Sequence, residues 1–276
     1  MKIRINDTKL NVLEAGSRHS ISPITFVFLH YFGGSARAWT AVMERVVARL
    51  GARCLAIDLR GFGDSDAPPS GYSVDAMADD VAAVIEHFGL AGHRITGTPD
   101  DNYILVGHSM SGKVALALAA RRLAGMRSVV LLAPSPPSPE PIPDGSRQQM
   151  LQTHGQREAA EQTLREITAA PLPSAADEQI IADNLRSAAV AWDAWLTSGS
   201  REDITGRMAQ IETPVYVAVG DQDAAVPLRV QQTAVLPWLP AGSSLQVIPG
   251  SGHLLPYEAP DAVVTILAAA LAEEPL

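Results

Sequence analysis

The chain has 276 residues, of which 47% are hydrophobic and 18% are charged, a composition typical of a globular protein and not of a disordered one. Its formal net charge of -9 argues against a nucleic-acid partner, because a surface that binds phosphates needs clustered basic residues. The length allows one large α/β domain, or one domain with a sizeable insertion.

Targeting and metal-binding patterns are not found in the sequence. The amino terminus lacks the apolar segment of a secretion signal, and the longest apolar run, near Val263 to Ala272, is too short to cross a bilayer. We therefore expect a cytoplasmic protein without a membrane partner. The seven histidines are dispersed without metal-ligand spacing, so we expect no metal, and Cys54 lies in an apolar strand pattern typical of a buried thiol.

The first part of the chain predicts a hairpin, a buried strand and a helix. Lys2 to Ile5 and Lys9 to Glu14 alternate apolar and polar residues, which is typical of a hairpin at a sheet edge. The apolar run Ile24 to Leu29 predicts a buried strand that ends in the loop 30–34 (His-Tyr-Phe-Gly-Gly), before a helical pattern from Ala36 to Leu50. Ligands of open α/β sheets lie at the carboxyl ends of strands, so this loop is placed to aim backbone N–H groups at one.

A second strand and helix follow. Arg53 to Leu59 predicts a strand, and the glycine-rich stretch 60–66 comes after it. The stretch continues into Pro68-Pro69 instead of opening a helix, so it does not fit a phosphate-binding loop. Tyr72 to Leu90 then carries apolar residues at helical spacing and ends near Gly89.

The segment around Ser109 predicts a serine presented on a sharp turn. Asn102 to Val106 is a β-rich apolar run, and the alanine-rich run Val114 to Leu123 is helical. The turn between them needs small residues two positions before and after its apex, where Gly107 and Ser111 stand, so the pattern is close to the nucleophile elbow G-x-S-x-G. The structural alternative is that the small residues only let the helix pack closely against the strand, and that the serine only caps the N-terminus of the helix.

Beyond the predicted strand Ser128 to Ala133, the regular alternation of strands and helices stops. The proline-rich stretch 134–143 excludes a helix. Helical patterns then occupy Arg147 to Ala169, Ala175 to Leu196 and Arg201 to Gln210. We predict a helical cap over residues 135–208, inserted into a core formed by residues 1–134 and 209–276.

The alternation resumes after the predicted cap. In chain order, the elements are a strand at Val215 to Val219, a helix near Leu228 to Leu236, a strand at Ser244 to Ile248 and a helix from Pro260 to Ala272. The first strand ends in a loop with two acids, Asp221 and Asp223, and the second ends in a loop with His253. A serine, an acid and a histidine thus follow the ends of presumed parallel strands, and the pattern alone leaves both aspartates open.

With this order and placement, the chain resembles the α/β-hydrolase superfamily. The segments that carry the resemblance are 30–34, 58–63, 107–111, 220–223 and 252–253, followed by Glu258. The resemblance covers nearly the whole chain outside the predicted cap. It implies an α/β fold with a mostly parallel eight-stranded sheet, flanked by helices and carrying a helical cap insertion.

The resemblance also implies the roles of the site residues. Ser109 would be the nucleophile, His253 the base that takes its proton, and Asp223, favoured over Asp221, the acid that orients the histidine. The backbone N–H groups of Phe32 and Met110 would form the oxyanion hole. No cofactor is needed for this chemistry, and His30 and His108 are expected only to pack or to form hydrogen bonds.

The expected function is serine-dependent hydrolysis of a small or medium carboxylic ester through an acyl-enzyme, with a small molecule as substrate. Within the family, cofactor-free perhydrolase or haloperoxidase activity, lactone opening and hydrolysis of C–C bonds share the same triad and stay open. A hypothesis of another class is a small-molecule receptor that keeps the pocket and has little turnover. The sequence does not indicate an oligomeric state.

The candidate substrate-binding residues are Tyr31, which stands where the family usually has glycine, and two tryptophans of the predicted cap. Between Asn184 and Leu196 an apolar stripe recurs at helical spacing, formed by Leu185, Ala188, Ala189, Trp192, Trp195 and Leu196, opposite Arg186, Ser187 and Asp193. An insertion at this point emerges at the carboxyl edge of the sheet, so we expect Trp192 or Trp195 to contact the substrate. The alternative is that both tryptophans only pack the cap onto the domain beneath.

Overall fold

The computed structural model describes residues 1–17, 21–91 and 102–272. Within these residues the strands are β1 (Lys2–Ile5), β2 (Thr8–Ala15), β3 (Ile24–Leu29), β4 (Arg53–Ile57), β5 (Asn102–His108), β6 (Met126–Leu132), β7 (Val215–Gly220) and β8 (Ser244–Ile248). They form one sheet in the order β1-β2-β4-β3-β5-β6-β7-β8. The pairs β1–β2 and β2–β4 are antiparallel and the others are parallel. The predicted α/β fold with a mostly parallel eight-stranded sheet is confirmed.

Helices cover the sheet. They are α1 (Thr40–Leu50), α2 (Val74–His87), α3 (Met110–Ala119), α4 (Asp144–Thr153), α5 (Arg157–Ile167), α6 (Ser174–Leu185), α7 (Ala189–Thr197), α8 (Leu228–Val230), α9 (Leu255–Glu258) and α10 (Pro260–Ala272). Short 3₁₀ segments lie at Ala36–Trp39, Gly199–Arg201, Thr205–Gln210 and Leu236–Trp238, and a π-helical turn at Gln231–Val235. In the part of the chain that the structure describes, no helix is long and apolar enough to cross a membrane.

The core has two layers, one on each face of the sheet. In β3, Val27 and Leu29 pack in the layer that contains α2 and α3, whereas Phe26 and Phe28 pack in the layer that contains α1 and α10. A strand that is covered on both faces must be apolar throughout, which explains the uninterrupted apolar run of this strand. Cys54 of β4 lies in the same core, and burial raises the pKa of its thiol to about 12, as expected of a buried thiol.

The helices α4 to α7 lie between β6 and β7, in the stretch predicted as a cap. They are joined to the core loops by buried polar contacts of α6. The carboxylate of Asp183 accepts hydrogen bonds from the Ser35 hydroxyl at 2.7 Å and from the guanidinium of Arg37 at 2.5 Å. The backbone N–H of Ala188 donates to the carbonyl of Gly61 at 2.8 Å. The boundaries of the cap stay a prediction.

Two of the predicted long helices are wrong, because each is divided into two. The pattern Arg147 to Ala169 is interrupted at Gly155, which has a φ of +79° and separates α4 from α5. The pattern Ala175 to Leu196 is interrupted at residues 186–188, between α6 and α7. There the Ser187 hydroxyl donates to the Asp183 carbonyl, and the backbone N–H of Ala188 donates to a core loop. These contacts end the helix at this point, although the apolar periodicity of the sequence continues beyond it.

This interruption also changes the predicted apolar stripe. Trp192, Trp195 and Leu196 are buried as expected, whereas Ala189 is exposed and Ser187, expected on the opposite face, is buried. The change of direction between α6 and α7 removes the common face that a single helix would have.

Candidate active site

Ser109 stands at the apex of the turn between β5 and α3, with φ 54° and ψ -118°. A non-glycine residue rarely adopts a positive φ, and this strained geometry is typical of a nucleophile elbow. The turn is possible because its neighbours are small. A Cβ on Gly107 would lie 2.7 Å from the backbone oxygen of Ser111, and a Cβ on Gly112 would lie 2.4 Å from the Cβ of Pro134.

Ser111 occupies the position where the elbow pattern has its last glycine. Its hydroxyl donates to the carbonyl of Leu29 at 2.8 Å and accepts from the N–H of His108 at 3.1 Å. Leu29 is the last residue of β3, directly before the loop 30–34. The serine therefore adds a link between the elbow and the candidate oxyanion loop that glycine would not provide.

Three side chains form a continuous chain of hydrogen bonds. His253 places Nε2 2.8 Å from the hydroxyl of Ser109 and Nδ1 2.8 Å from Oδ2 of Asp223. The other carboxylate oxygen of Asp223 accepts from the N–H groups of Ala225 and Val226, both at 2.8 Å. These contacts fix the orientation of the carboxylate. The structure thus brings together the serine, the histidine and one of the two aspartates that the sequence left open.

Asp221, the other aspartate of this loop, does not reach His253. It is exposed and accepts a hydrogen bond from the N–H of Gly250 at 2.8 Å. The loop therefore uses its two acids differently, one to brace the following turn and one to contact the histidine.

The charges of the buried pair His253 and Asp223 support each other. Burial lowers the pKa of His253, but the Asp223 carboxylate raises it more, so that the pKa lies above the usual 6.5. Burial raises the pKa of Asp223, but the charge of His253 and the hydrogen bonds to the carboxylate lower it below the usual 3.8. An ionised Asp223 accepts a hydrogen bond from Nδ1–H, which keeps the proton on Nδ1 and leaves Nε2 of the neutral imidazole free to accept the Ser109 proton.

The loop that carries His253 is held by Glu258. The carboxylate of Glu258 accepts from the N–H groups of Gly252 at 2.8 Å and Leu254 at 2.9 Å, one on each side of the histidine. It also accepts from the N–H of Ala169, which follows α5, at 2.8 Å. The sequence pointed to Glu258 only as part of the resemblance, and its triple acceptor role was not predicted.

The candidate oxyanion hole would use two backbone N–H groups, one after β5 and one after β3. Met110 is the first residue of α3, where the helix itself leaves the N–H without an acceptor and the helix dipole favours negative charge. Phe32 lies in the loop after β3 and lines the same cavity as Ser109. Within the described part of the chain, neither N–H takes part in a backbone hydrogen bond. The assignment of these donors stays a prediction.

His30 and His108 support this arrangement from behind. His30 donates from Nδ1 to the carbonyl of Tyr31 at 2.7 Å and accepts from the N–H of Leu59 at 3.1 Å, which braces the loop 30–34. His108 donates from Nε2 to the carbonyl of His253 at 2.8 Å. Burial lowers the pKa of His108 to about 3, so its imidazole is neutral at ordinary pH. Both rings are bonded to the backbone and neither contacts the Ser109 hydroxyl.

A cavity of about 400 Å³ opens over Ser109 and His253. Tyr31, Phe32 and Trp195 are among the residues in its wall, together with segments of α4 and α5. Residues 140–143 of the proline-rich stretch also line it, with Glu140 as a charged member, and no sequence signal had marked them. The structure therefore places two of the three candidate substrate-binding residues, Tyr31 and Trp195, at the cavity.

Trp192 lies one layer behind this wall. Its ring is 4.2 Å from that of Phe32 and stacks on His154 at 4.6 Å. Its indole N–H donates to the carbonyl of Met150 at 3.1 Å. Trp192 therefore supports a residue of the cavity wall and does not line the cavity itself.

The glycine-rich stretch after β4 folds around an acid. The carboxylate of Asp58 accepts from the N–H groups of Ala36 at 2.6 Å and Asp64 at 2.8 Å. A Cβ on Gly63 would lie 2.2 Å from the carboxyl carbon, so this glycine allows the loop to close over Asp58. Across the described residues, no cluster of three His, Cys, Asp or Glu side chains is placed to hold a metal ion.

Comparisons with known proteins agree on one family. A family model described as the alpha/beta hydrolase family matches residues 26–266. The AB hydrolase superfamily protein YisY of Bacillus subtilis (strain 168) is 36% identical over 113 residues, which is 41% of this chain and only 38% of that relative. The bifunctional esterase/perhydrolase DCH of Acinetobacter calcoaceticus is 28% identical over 225 residues, covering 76% of this chain and 77% of that relative.

A comparison with solved structures gives the same fold. An esterase from Exiguobacterium antarcticum superposes with a TM-score of 0.82 at 21% identity, covering 99% of both chains. At this identity the likeness concerns the fold alone.

Proposed function

The chain belongs to the α/β-hydrolase family, as its motifs predict, and on this premise we propose that it is a serine hydrolase that cleaves small or medium carboxylic esters through an acyl-enzyme. The observation that carries the proposal is the hydrogen-bonded series Ser109, His253 and Asp223 at the floor of a cavity. A hydroxyl alone is a weak nucleophile, and this series provides the base that activates it.

In the proposed reaction, Nε2 of His253 takes the Ser109 proton as the serine oxygen attacks the ester carbonyl. The negative charge that develops on the carbonyl oxygen is stabilised by the N–H groups of Phe32 and Met110, each contributing about 3 kcal/mol by analogy with measured oxyanion-hole donors. His253 then gives its proton to the departing alcohol, leaving an acyl group on Ser109. Water, deprotonated by His253, cleaves the acyl-enzyme and restores the serine.

The proposal is tested by turnover of a short p-nitrophenyl ester. Ser109→Ala should lower kcat by several orders of magnitude while the melting temperature stays close to wild type, because the variant loses only the nucleophile. Ser70→Ala, the same change at an exposed position, is the control. Activity of Ser109→Ala near wild type would exclude the serine mechanism. Ligand-induced stabilisation without turnover would instead support the receptor hypothesis.

A second candidate is perhydrolysis, favoured by the similarity to the bifunctional esterase/perhydrolase over three quarters of both chains. Here hydrogen peroxide replaces water, so that the acyl group leaves Ser109 as a peracid and the serine recovers its proton. Peracid formation from a short ester and peroxide measures this activity. If peracid formation depends on Ser109 and exceeds the uncatalysed rate, both activities share one acyl-enzyme. If no peracid forms, the second candidate is rejected.

A further inference from the structure

The charged side chains of the cavity wall are unevenly distributed. Glu140 and Glu166 line the cavity, and among its described lining residues there is no lysine or arginine. His253 also lines the cavity, but its partner Asp223 supplies a negative charge directly behind it. Apart from His253, the charged residue types that a substrate meets in this wall are therefore acidic.

Two buried cations, Lys113 and Arg147, partly offset the raised pKa of Glu140, and both are bonded to the protein itself. The ammonium of Lys113 donates to the backbone carbonyls of Ser138 at 3.0 Å and Glu202 at 2.9 Å. The guanidinium of Arg147 donates to the hydroxyl of Ser200 at 2.6 Å and to the carbonyl of Leu196. Neither Lys113 nor Arg147 is among the lining residues, so these cations lie behind the wall.

Glu140 is held in place close to the reacting groups. Its backbone N–H donates to the carbonyl of Ser200 at 2.7 Å, and the next residue, Pro141, has a fixed φ. Burial raises the pKa of its carboxyl, and the Ser135 hydroxyl and Lys113 only partly offset this effect. The charge of Glu140, when ionised, also contributes to the raised pKa of His253, so it acts on the candidate catalytic histidine.

We propose that the cavity selects esters that are uncharged or cationic over esters that carry a carboxylate, and that Glu140 is the residue that sets this preference. Above the raised pKa of Glu140, where its carboxyl is ionised, a carboxylate substrate loses its hydration and meets a like charge, whereas a quaternary ammonium group meets an opposite one. Glu166 is exposed, so solvent screens its charge and its contribution is smaller. The inference rests on the proposed ester hydrolysis at Ser109.

The test uses three p-nitrophenyl esters of similar length. Their acyl groups are a trimethylammonio-butanoate, its uncharged tert-butyl analogue and the glutarate half-ester. For the wild type, kcat/KM should be lowest for the glutarate ester. In Glu140→Gln the preference for the cationic over the anionic ester should narrow by about tenfold, as removal of one nearby charge predicts. Glu166→Gln should narrow it less.

Glu158→Gln is the matched control, because it removes the same charge from an exposed position outside the cavity wall. In this control, the preference for the cationic over the anionic ester should equal that of the wild type. For each variant, activity on the uncharged ester and the melting temperature report any loss of folding. The inference would be overturned if the wild type preferred the glutarate ester, or if Glu140→Gln left the preference unchanged. In either case, Ser109-dependent hydrolysis of the uncharged ester would still support the proposed function.

If no ester is turned over, the proposed function fails, and binding of the same three esters to Ser109→Ala still tests the selection. Weaker binding of the cationic and uncharged esters than of the glutarate ester would then contradict the inference. Stronger binding of both would support it.

Discussion

His253 should determine how activity depends on pH. Since Asp223 raises the pKa of His253 above 6.5, the histidine is protonated below that pKa and cannot accept the Ser109 proton. The rate kcat/KM for a neutral ester should therefore fall on the acid side, with an apparent pKa above 6.5. A neutral ester is used so that the titration belongs to the enzyme. A profile that stays flat to about pH 4 would remove histidine from the mechanism.

The two aspartates of the loop after β7 provide a matched pair for testing the acid. Asp223→Asn should lower kcat by roughly 10⁴-fold, because the amide no longer holds the Nδ1 proton in the orientation that catalysis needs. Asp221→Asn loses only an exposed negative charge and keeps an oxygen that can accept from the N–H of Gly250, so its kcat should stay close to wild type. Steady-state kinetics of both variants on one ester make the comparison. The opposite order would mean that the loop supplies its other acid.

At the scale of single residues, the sequence carries clearer signals for the three candidate catalytic positions than for the cavity wall. Ser109 is marked by the local elbow pattern. His253 becomes a candidate only together with the serine and the acid, and Asp223 is preferred over Asp221 only through the resemblance. Glu140 gave no signal, because an acid among prolines has no periodicity that would place it at the cavity. Trp192 and Trp195 share one predicted helix face. Only the structure shows that Trp195 lines the cavity, whereas Trp192 packs behind Phe32.

At the scale of elements, strands were predicted more accurately than the helices that follow β6. Strands such as Ile24–Leu29 and Ser244–Ile248 have the predicted bounds, because a short apolar run between turns defines both ends. The predicted helix over Ala175 to Leu196 has no glycine or proline at its interruption. Its interruption comes from the contact of Ala188 with Gly61, which is far away in sequence.

Lys113 joins α3 to two segments that border the inserted helices. The ammonium lies in the interior and donates to backbone carbonyls of residues 138, 200 and 202. Lys113→Met should lower the free energy of unfolding by on the order of 2 kcal/mol, because these buried carbonyls are left without their donor. Lys9→Met, at an exposed position, is the control, with both variants measured by denaturant unfolding. Unfolding energies equal to wild type would mean that the carbonyls find other partners.

The difference in free energy of unfolding between the wild type and Lys113→Met should depend on pH. Burial lowers the pKa of Lys113 to about 8 in the folded protein, from 10.5 in an exposed lysine. Between these values the unfolded chain binds more protons than the folded one, so the contribution of Lys113 to stability rises with pH. The deficit of Lys113→Met should therefore widen from pH 8 to pH 10.5. A deficit that narrows over this interval would contradict the assignment.

At the scale of the whole molecule, the sheet and the inserted helices have separate parts in the candidate site. Ser109, Asp223 and His253 follow β5, β7 and β8, whose carboxyl ends meet at one edge of the sheet. Much of the remaining cavity wall comes from residues 140–167 and from α7. We therefore expect changes in α7 to alter which ester is preferred while the chemistry of the triad continues.

Trp195 and Trp192 test this expectation as a matched pair. Both lie on α7 and both are buried, but only Trp195 lines the cavity, and Trp192 packs behind Phe32. Trp195→Ala enlarges the cavity directly, so kcat/KM should rise for bulky esters relative to acetate. Trp192→Ala loses packing and the bond to Met150, so it should lower the melting temperature and affect the esters more evenly.

Both tryptophan variants should be measured on acetate and on a branched ester, with the melting temperature recorded for each. The ratio of the two kcat/KM values separates a change in cavity shape from a general loss of folded enzyme, because unfolding lowers both values equally. A selective change in Trp195→Ala alone would place specificity in α7. Equal losses on both esters in both variants, with a large fall in melting temperature, would mean that the two tryptophans only hold the inserted helices on the core.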